Sequence, residues 1–225
     1  MLTTPFLLVW VALYAYSKQT RDEQWLLSIA GAITGPLSEI IYVRDYWSPQ
    51  SVFPLHLGSF VLMPEDLLFG FAIGGIAAVI YEAVFRMRQR KVHAHKKYTS
   101  ILIVAFFFVV LELLLRLHWN SIYASAAAFI IVALPMFWWR KDLLWDAIGS
   151  GVGTALVLFL CYTLVFGLTA NINSLLREGW LLYRTPFDWR FLGIPITELT
   201  WAFAMGFLIG PLYEFLRNKK LVRSA

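Results

Sequence analysis

Two carboxylates, Glu65 and Asp66, follow Pro64 at the head of an apolar stretch, Met63–Arg86, MPEDLLFGFAIGGIAAVIYEAVFR. Much later the chain repeats the pattern from Ile194 to Arg217, IPITELTWAFAMGFLIGPLYEFLR. A shift of 132 positions lays Asp66 on Glu198, Phe71 on Phe203, Gly74 on Gly206 and Tyr81-Glu82 on Tyr213-Glu214. A third acid, Glu39, lies inside another apolar run, just after Pro36. Acids in apolar surroundings suit proton transfer. A carboxylic acid in such a site can stay protonated at neutral pH and give its proton away, while a second carboxylate takes one up. An acid of that kind can protonate an isolated alkene. The cation formed needs π faces to stabilise it and no water to quench it. The candidate acids are Glu39, Glu65, Asp66 and Glu198. Phe69 and Trp201 each stand three residues after a repeated acid, on the same helical face, and are the favoured walls. Tyr42, Trp47, Phe71 and Asn171 complete the candidate set.

Plainer readings exist for the same residues. Proline followed by acids is ordinary helix-start chemistry, stabilised by the helix dipole. Glu112 precedes Arg116 by four and forms a helix ion pair. Glu82 and Glu214, beside Tyr81 and Tyr213 at the other ends of the repeated helices, are explained by snorkelling or by pairing with basic links. Most aromatic side chains belong to packing. His56, His93, His95 and His118 show no metal-ligand spacing, and no metal site is expected.

The elements that must position these groups are membrane helices. Hydrophobic residues make up 60% of the 225, against about 45–50% in a soluble domain. Seven spans are expected: 4–17, 25–43, 63–86, 99–117, 121–138, 143–170 and 191–216. Pro36 is expected to kink the second. Gly149, Gly151 and Gly153 mark a close helix contact in the sixth. The segment 44–60 reads as a re-entrant or interfacial loop, and 86–97 and 217–225 as a basic link and tail. The chain is one transmembrane domain over 1–225, with related three-helix halves near 1–97 and 119–225 and one linking helix, 99–117. With the N-terminus outside, fourteen Lys and Arg lie on the inner side and five on the outer, of 19 in all. That bias sets the C-terminus in the cytoplasm. Glu39, Asp66 and Glu198 then meet near the outer boundary, where intramembrane acids are functional candidates.

Several classes fall away. The net charge of +5 is spread over short links, so no nucleic-acid surface is expected. The seventh span has no lysine for a retinal Schiff base. Neither aspartate-rich diphosphate motifs nor phosphate or dinucleotide loops occur. Cys161 is alone and reads as a small hydrophobe.

The two acid-headed helices, Pro64-Glu-Asp-Leu-Leu-Phe69 and Ile194-Pro-Ile-Thr-Glu-Leu-Thr-Trp201, each ending in Tyr-Glu, resemble the paired P-x-E-E motifs of the lycopene cyclase domain family. That family comprises small integral membrane proteins with two related three-helix halves. Its acid pair maps onto Glu65 and Asp66 in the first motif. In the second, Thr197 holds the place of the first acid and Glu198 that of the second. Glu39 is a candidate to supply the missing acid. The resemblance implies cofactor-free, redox-neutral, acid-initiated cyclisation of a lipophilic isoprenoid such as a linear carotenoid. Asp66 and Glu198 would be acid and base, with Glu39 and Glu65 assisting. It also implies membrane lipid around the protein and association with other isoprenoid-pathway enzymes. Two other classes remain open: a proton-coupled transporter or lipid-binding protein using the same acids, and an inactive relative that scaffolds pathway enzymes.

Overall fold

The computed structural model describes residues 3–48, 54–57, 60–91, 99–168 and 172–223. Its helices are α1 (Thr4–Tyr16), α2 (Arg21–Tyr42), α3 (Pro64–Phe85), α4 (Thr99–Arg116), α5 (Ser121–Trp139), α6 (Leu144–Leu168), α7 (Ile172–Gly179) and α8 (Ile196–Arg217). Among the described residues, α2, α3, α5, α8 and the run Lys141–Leu168 containing α6 are long and apolar enough to cross a membrane. Their outward faces expose large apolar side chains such as Ile33, Ile131, Leu160 and Leu164. Both features are consistent with a membrane protein.

The structure departs from the expected layout in five places. Helix α2 begins at Arg21 rather than Trp25, because Asp22 and Glu23 suit a helix start. The last span begins at Ile196, not Phe191. Phe191 instead pairs with Ile194 in a short hairpin, β1 (Arg190–Phe191) and β2 (Ile194–Pro195), which turns through Gly193 at φ 86°. The loop before it contains α7. Parts of the basic link and tail form an antiparallel ribbon, β3 (Met87–Lys91) with β4 (Lys219–Arg223). Helices α3 and α8 each end on a left-handed residue, Arg86 (φ 52°) and Asn218 (φ 50°), which turns the chain from helix into ribbon. Residues 55–57 pair antiparallel with 60–62 ahead of α3.

Two close helix crossings organise the bundle. Helix α2 lies on α3 with almost no side chain between them. A Cβ added at Gly31 would sit 2.1 Å from the Gly70 carbonyl oxygen, and one at Gly70 would sit 2.2 Å from that of Gly31. Helix α6 meets α8 in the same manner: a Cβ at Gly206 would lie 2.6 Å from the Ser150 carbonyl oxygen. Gly149 and Gly153 do not serve that crossing. They make room for Tyr81 and Ile80 of α3. Small residues let helix backbones approach this closely. The apolar core continues through Phe6, Ile73, Ile76, Leu158 and Ile194.

Candidate active site

Glu198 sits in the first turn of α8 and is buried. Three aromatic donors converge on it. Tyr46 donates its hydroxyl to Oε1, the Trp180 indole N–H donates to the same oxygen at 3.2 Å, and the Tyr162 hydroxyl donates to Oε2 at 3.1 Å. Trp180 also donates to the Tyr46 oxygen at 3.1 Å. A carboxylate is acceptor-only and can satisfy all three donors, so the set holds both oxygens in one orientation.

Backbone bonds place the donors. Tyr46 ends the turn that follows α2, and Trp180 directly follows α7. The two segments are tied by Ser48 N–H to the Gly179 carbonyl and Leu181 N–H to the Tyr46 carbonyl, both 2.9 Å. The turn is also pinned to α5. Asp45 accepts from the Ser121 N–H at 3.0 Å and from its hydroxyl at 2.5 Å, and Asn120 donates to the Asp45 carbonyl at 2.8 Å. Asn120 caps α5 as well, accepting from Ile122 N–H at 3.2 Å.

Glu39, in the last turn of α2, is buried and within electrostatic reach of both Asp66 and Glu198. Asp66 is half-buried in the first turn of α3, next to Glu65. One oxygen of each, Glu39 Oε2 and Asp66 Oδ2, is buried without a hydrogen-bond partner. The anchored acid and the two orphaned ones therefore differ in kind. An unpartnered buried carboxyl oxygen is costly unless a proton or a ligand compensates it.

The aromatic candidates separate. Phe69 and Trp201 stack on one another, with ring centroids 6.4 Å apart and planes 24° from parallel. Phe6 meets Phe69 edge-on at 5.2 Å. Trp201 donates its indole N–H to the Tyr42 hydroxyl at 2.9 Å, and Tyr42 passes the bond to Ser125 at 2.9 Å. Trp47 acts at one remove, packing on Trp180 with centroids 4.2 Å apart. Phe71 faces elsewhere, against Trp10 (5.0 Å) and Trp25 (5.5 Å). It stands two residues after Phe69, about 200° further round α3, so it points away from the Phe69–Trp201 pair. Asn171 lies outside the described residues. Glu112 is exposed and bonded to Arg116 at 2.8 Å, the ion pair its spacing predicts.

Tyr46, Tyr162 and Trp180 escaped the sequence reading. Their distances along the chain from Glu198 are 152, 36 and 18 residues, and no local pattern ties them to it. Snorkelling or pairing with basic residues does not describe Glu82 and Glu214. Both are buried, and neither Glu214 oxygen nor Glu82 Oε2 has a hydrogen-bond partner.

Residues 120–216 match the family model described as lycopene cyclase. The match runs from the α5 cap nearly to the end of α8 and contains Tyr162, Trp180, Glu198 and Trp201. Over this stretch the chain is similar to the lycopene cyclase domain family that its motifs resemble, and the match supports a carotenoid-cyclase type of function. No curated protein matches the chain, and no solved structure does.

Proposed function

We propose that the protein is a membrane-embedded isoprenoid cyclase of the lycopene type, working by redox-neutral proton transfer. The observation that carries this reading is the contrast between Glu198, clasped by Tyr46, Tyr162 and Trp180, and the unpartnered oxygens of Glu39 and Asp66 nearby. Asp66, with Glu39 beside it, gives a proton to the terminal double bond of a linear carotenoid or related terpenoid. The cation closes on a neighbouring double bond to form the ring. Glu198, held as an acceptor, removes a proton from an adjacent carbon. One proton enters and one leaves, so product and substrate are isomers and no redox partner is required. The Phe69 and Trp201 rings offer π faces to the transient positive charge. Glu65 assists through its charge next to Asp66.

In this proposal all seven spans cross the bilayer, in two related halves, with the N-terminus outside. The parallel placement of α3 and α8 supports it. Their acid-bearing starts are near one another, and their far ends are joined by the β3–β4 ribbon. The substrate reaches the site from the lipid. The test is expression in lycopene-accumulating cells and in cells loaded with other polyprenyl substrates, with analysis of the extracted lipids. Cyclised product that disappears in Asp66→Asn and Glu198→Gln supports the proposal. Unchanged substrates, together with proton leakage through vesicles containing the purified protein, would replace it with the transporter reading.

A further inference from the structure

Opposite the proposed catalytic end lies a second acidic group that cyclisation does not use. Sixteen residues along each repeated helix, from 66 to 82 and from 198 to 214, the chain places Glu82 and Glu214. At about 1.5 Å per residue this is roughly 24 Å from the first acids. Glu23 of α2 joins them. One carboxylate oxygen from each of Glu23, Glu82 and Glu214 lies within 4.8 Å of the other two. Asp146 of α6 is an electrostatic neighbour of Glu214 and Glu82. Its other partner is Ser150, whose hydroxyl donates to Oδ1 at 3.1 Å. All four side chains are 0–1% exposed.

The group is short of donors. Gln89 of β3 donates its side-chain amide N–H to Glu23 Oε2 and to Glu82 Oε1, and Lys219 of β4 donates to the Gln89 side-chain oxygen Oε1. Five oxygens remain buried with no partner: Glu23 Oε1, Glu82 Oε2, Asp146 Oδ2 and both oxygens of Glu214. Taking several carboxylates out of water with so few donors is strongly unfavourable unless something compensates them. Hard divalent cations take oxygen ligands at about 2.0–2.6 Å, which sets ligand oxygens roughly 3–5 Å apart. The spacing here fits that range. No histidine or cysteine belongs to the group, which favours magnesium, manganese or calcium over zinc or copper.

We propose that Glu23, Glu82 and Glu214, backed by Asp146, bind one hard divalent cation that clamps α2, α3, α6 and α8 together beneath the β3–β4 ribbon. The site is independent of the cyclase reading. Its ligands come from helices that otherwise meet through glycine contacts, and Gln89 and Lys219 of the ribbon form its cover.

The experiment uses the full-length protein in detergent, stripped with chelator and dialysed free of it, with Mn²⁺ as probe. We expect about one Mn²⁺ per chain by electron paramagnetic resonance. A rise in melting temperature of several degrees, followed by tryptophan fluorescence, should accompany saturation. Mg²⁺ or Ca²⁺ should displace the bound Mn²⁺. Glu214→Gln should weaken Mn²⁺ binding roughly tenfold or more, whereas Glu198→Gln, at the other end, should leave it unchanged. The wild-type protein supplies a second readout that is independent of how Glu214→Gln folds. If millimolar Mn²⁺ neither binds nor moves its melting temperature, the proposal is overturned. Equal loss in Glu198→Gln and Glu214→Gln would also overturn it. None of these readouts depends on cyclase activity.

Discussion

Replacing Tyr162 with phenylalanine removes one hydroxyl and leaves the ring in place. That hydroxyl donates to Glu198 Oε2 at 3.1 Å, and the ring packs edge-on to Phe6 and Trp180 with centroids 6.0 and 6.4 Å away. A hydrogen bond to a charged group contributes about 1.5–3 kcal/mol. Since about 1.4 kcal/mol is a factor of ten in rate, loss of that bond should slow turnover roughly 10- to 150-fold if it is fully used to hold Glu198 for proton removal. The melting temperature should fall modestly, because ring packing survives. The decisive assay is a double-mutant cycle with Glu198→Gln, reading cyclised product per unit of purified protein. If Tyr162 acts through Glu198, the double variant should be no slower than Glu198→Gln alone. Tyr162→Phe at wild-type rate, or effects that multiply in the double variant, would refute the cradle as a catalytic device and leave it a packing feature.

Two further perturbations test the frame around the site. Gly31→Ala should destabilise the protein by about 1–3 kcal/mol, because its Cβ would meet the Gly70 carbonyl oxygen at 2.1 Å and neither backbone can yield. Gly167→Ala, with nothing within 4 Å of the added carbon, should be neutral or slightly stabilising, and thermal unfolding of the pair separates close approach from helix propensity. Asp188 accepts from Arg190 Nε at 2.7 Å and Nη2 at 2.6 Å, and from the Arg184 N–H at 2.7 Å. Those bonds hold its carboxyl below the usual range, so the stability it contributes is present at neutral pH and lost as pH falls below about 4. Asp188→Asn should therefore cost up to about 1 kcal/mol at pH 7, and a much smaller melting difference should remain near pH 3.

The long helices were legible because each is an apolar run bounded by charges or prolines, and the α3/α8 correspondence because an acid recurs at the head of each; α7, eight residues of mixed polarity inside an expected loop, was not. The stacking of Phe69 on Trp201 accords with that same register. What failed was non-local. Tyr46 and Trp180 reach Glu198 only because two turns, distant along the chain, exchange backbone hydrogen bonds. Glu82 and Glu214 adjoin a basic link and tail, which suggested snorkelling. The ribbon instead folds back over them and keeps water out. The start of the last span was set too early because Phe191 and Ile194 are as apolar as a helix entry, yet they face each other across a turn that needs Gly193. Phe71 shares the repeated pattern with Phe203 but packs on α1 and the start of α2, which shows that repeat position alone does not decide which face meets the site.

The central claim is that Glu198 removes the proton that ends a cyclisation begun near Asp66 and Glu39. It is tested most directly in lycopene-accumulating cells expressing wild-type protein, Glu198→Gln or Asp66→Asn at matched membrane levels, by quantifying ringed and linear carotenoids. Cells with the wild type should accumulate ringed product, and Glu198→Gln should lower it by at least about a hundredfold. Equal amounts of ringed product from wild type and Glu198→Gln would contradict it.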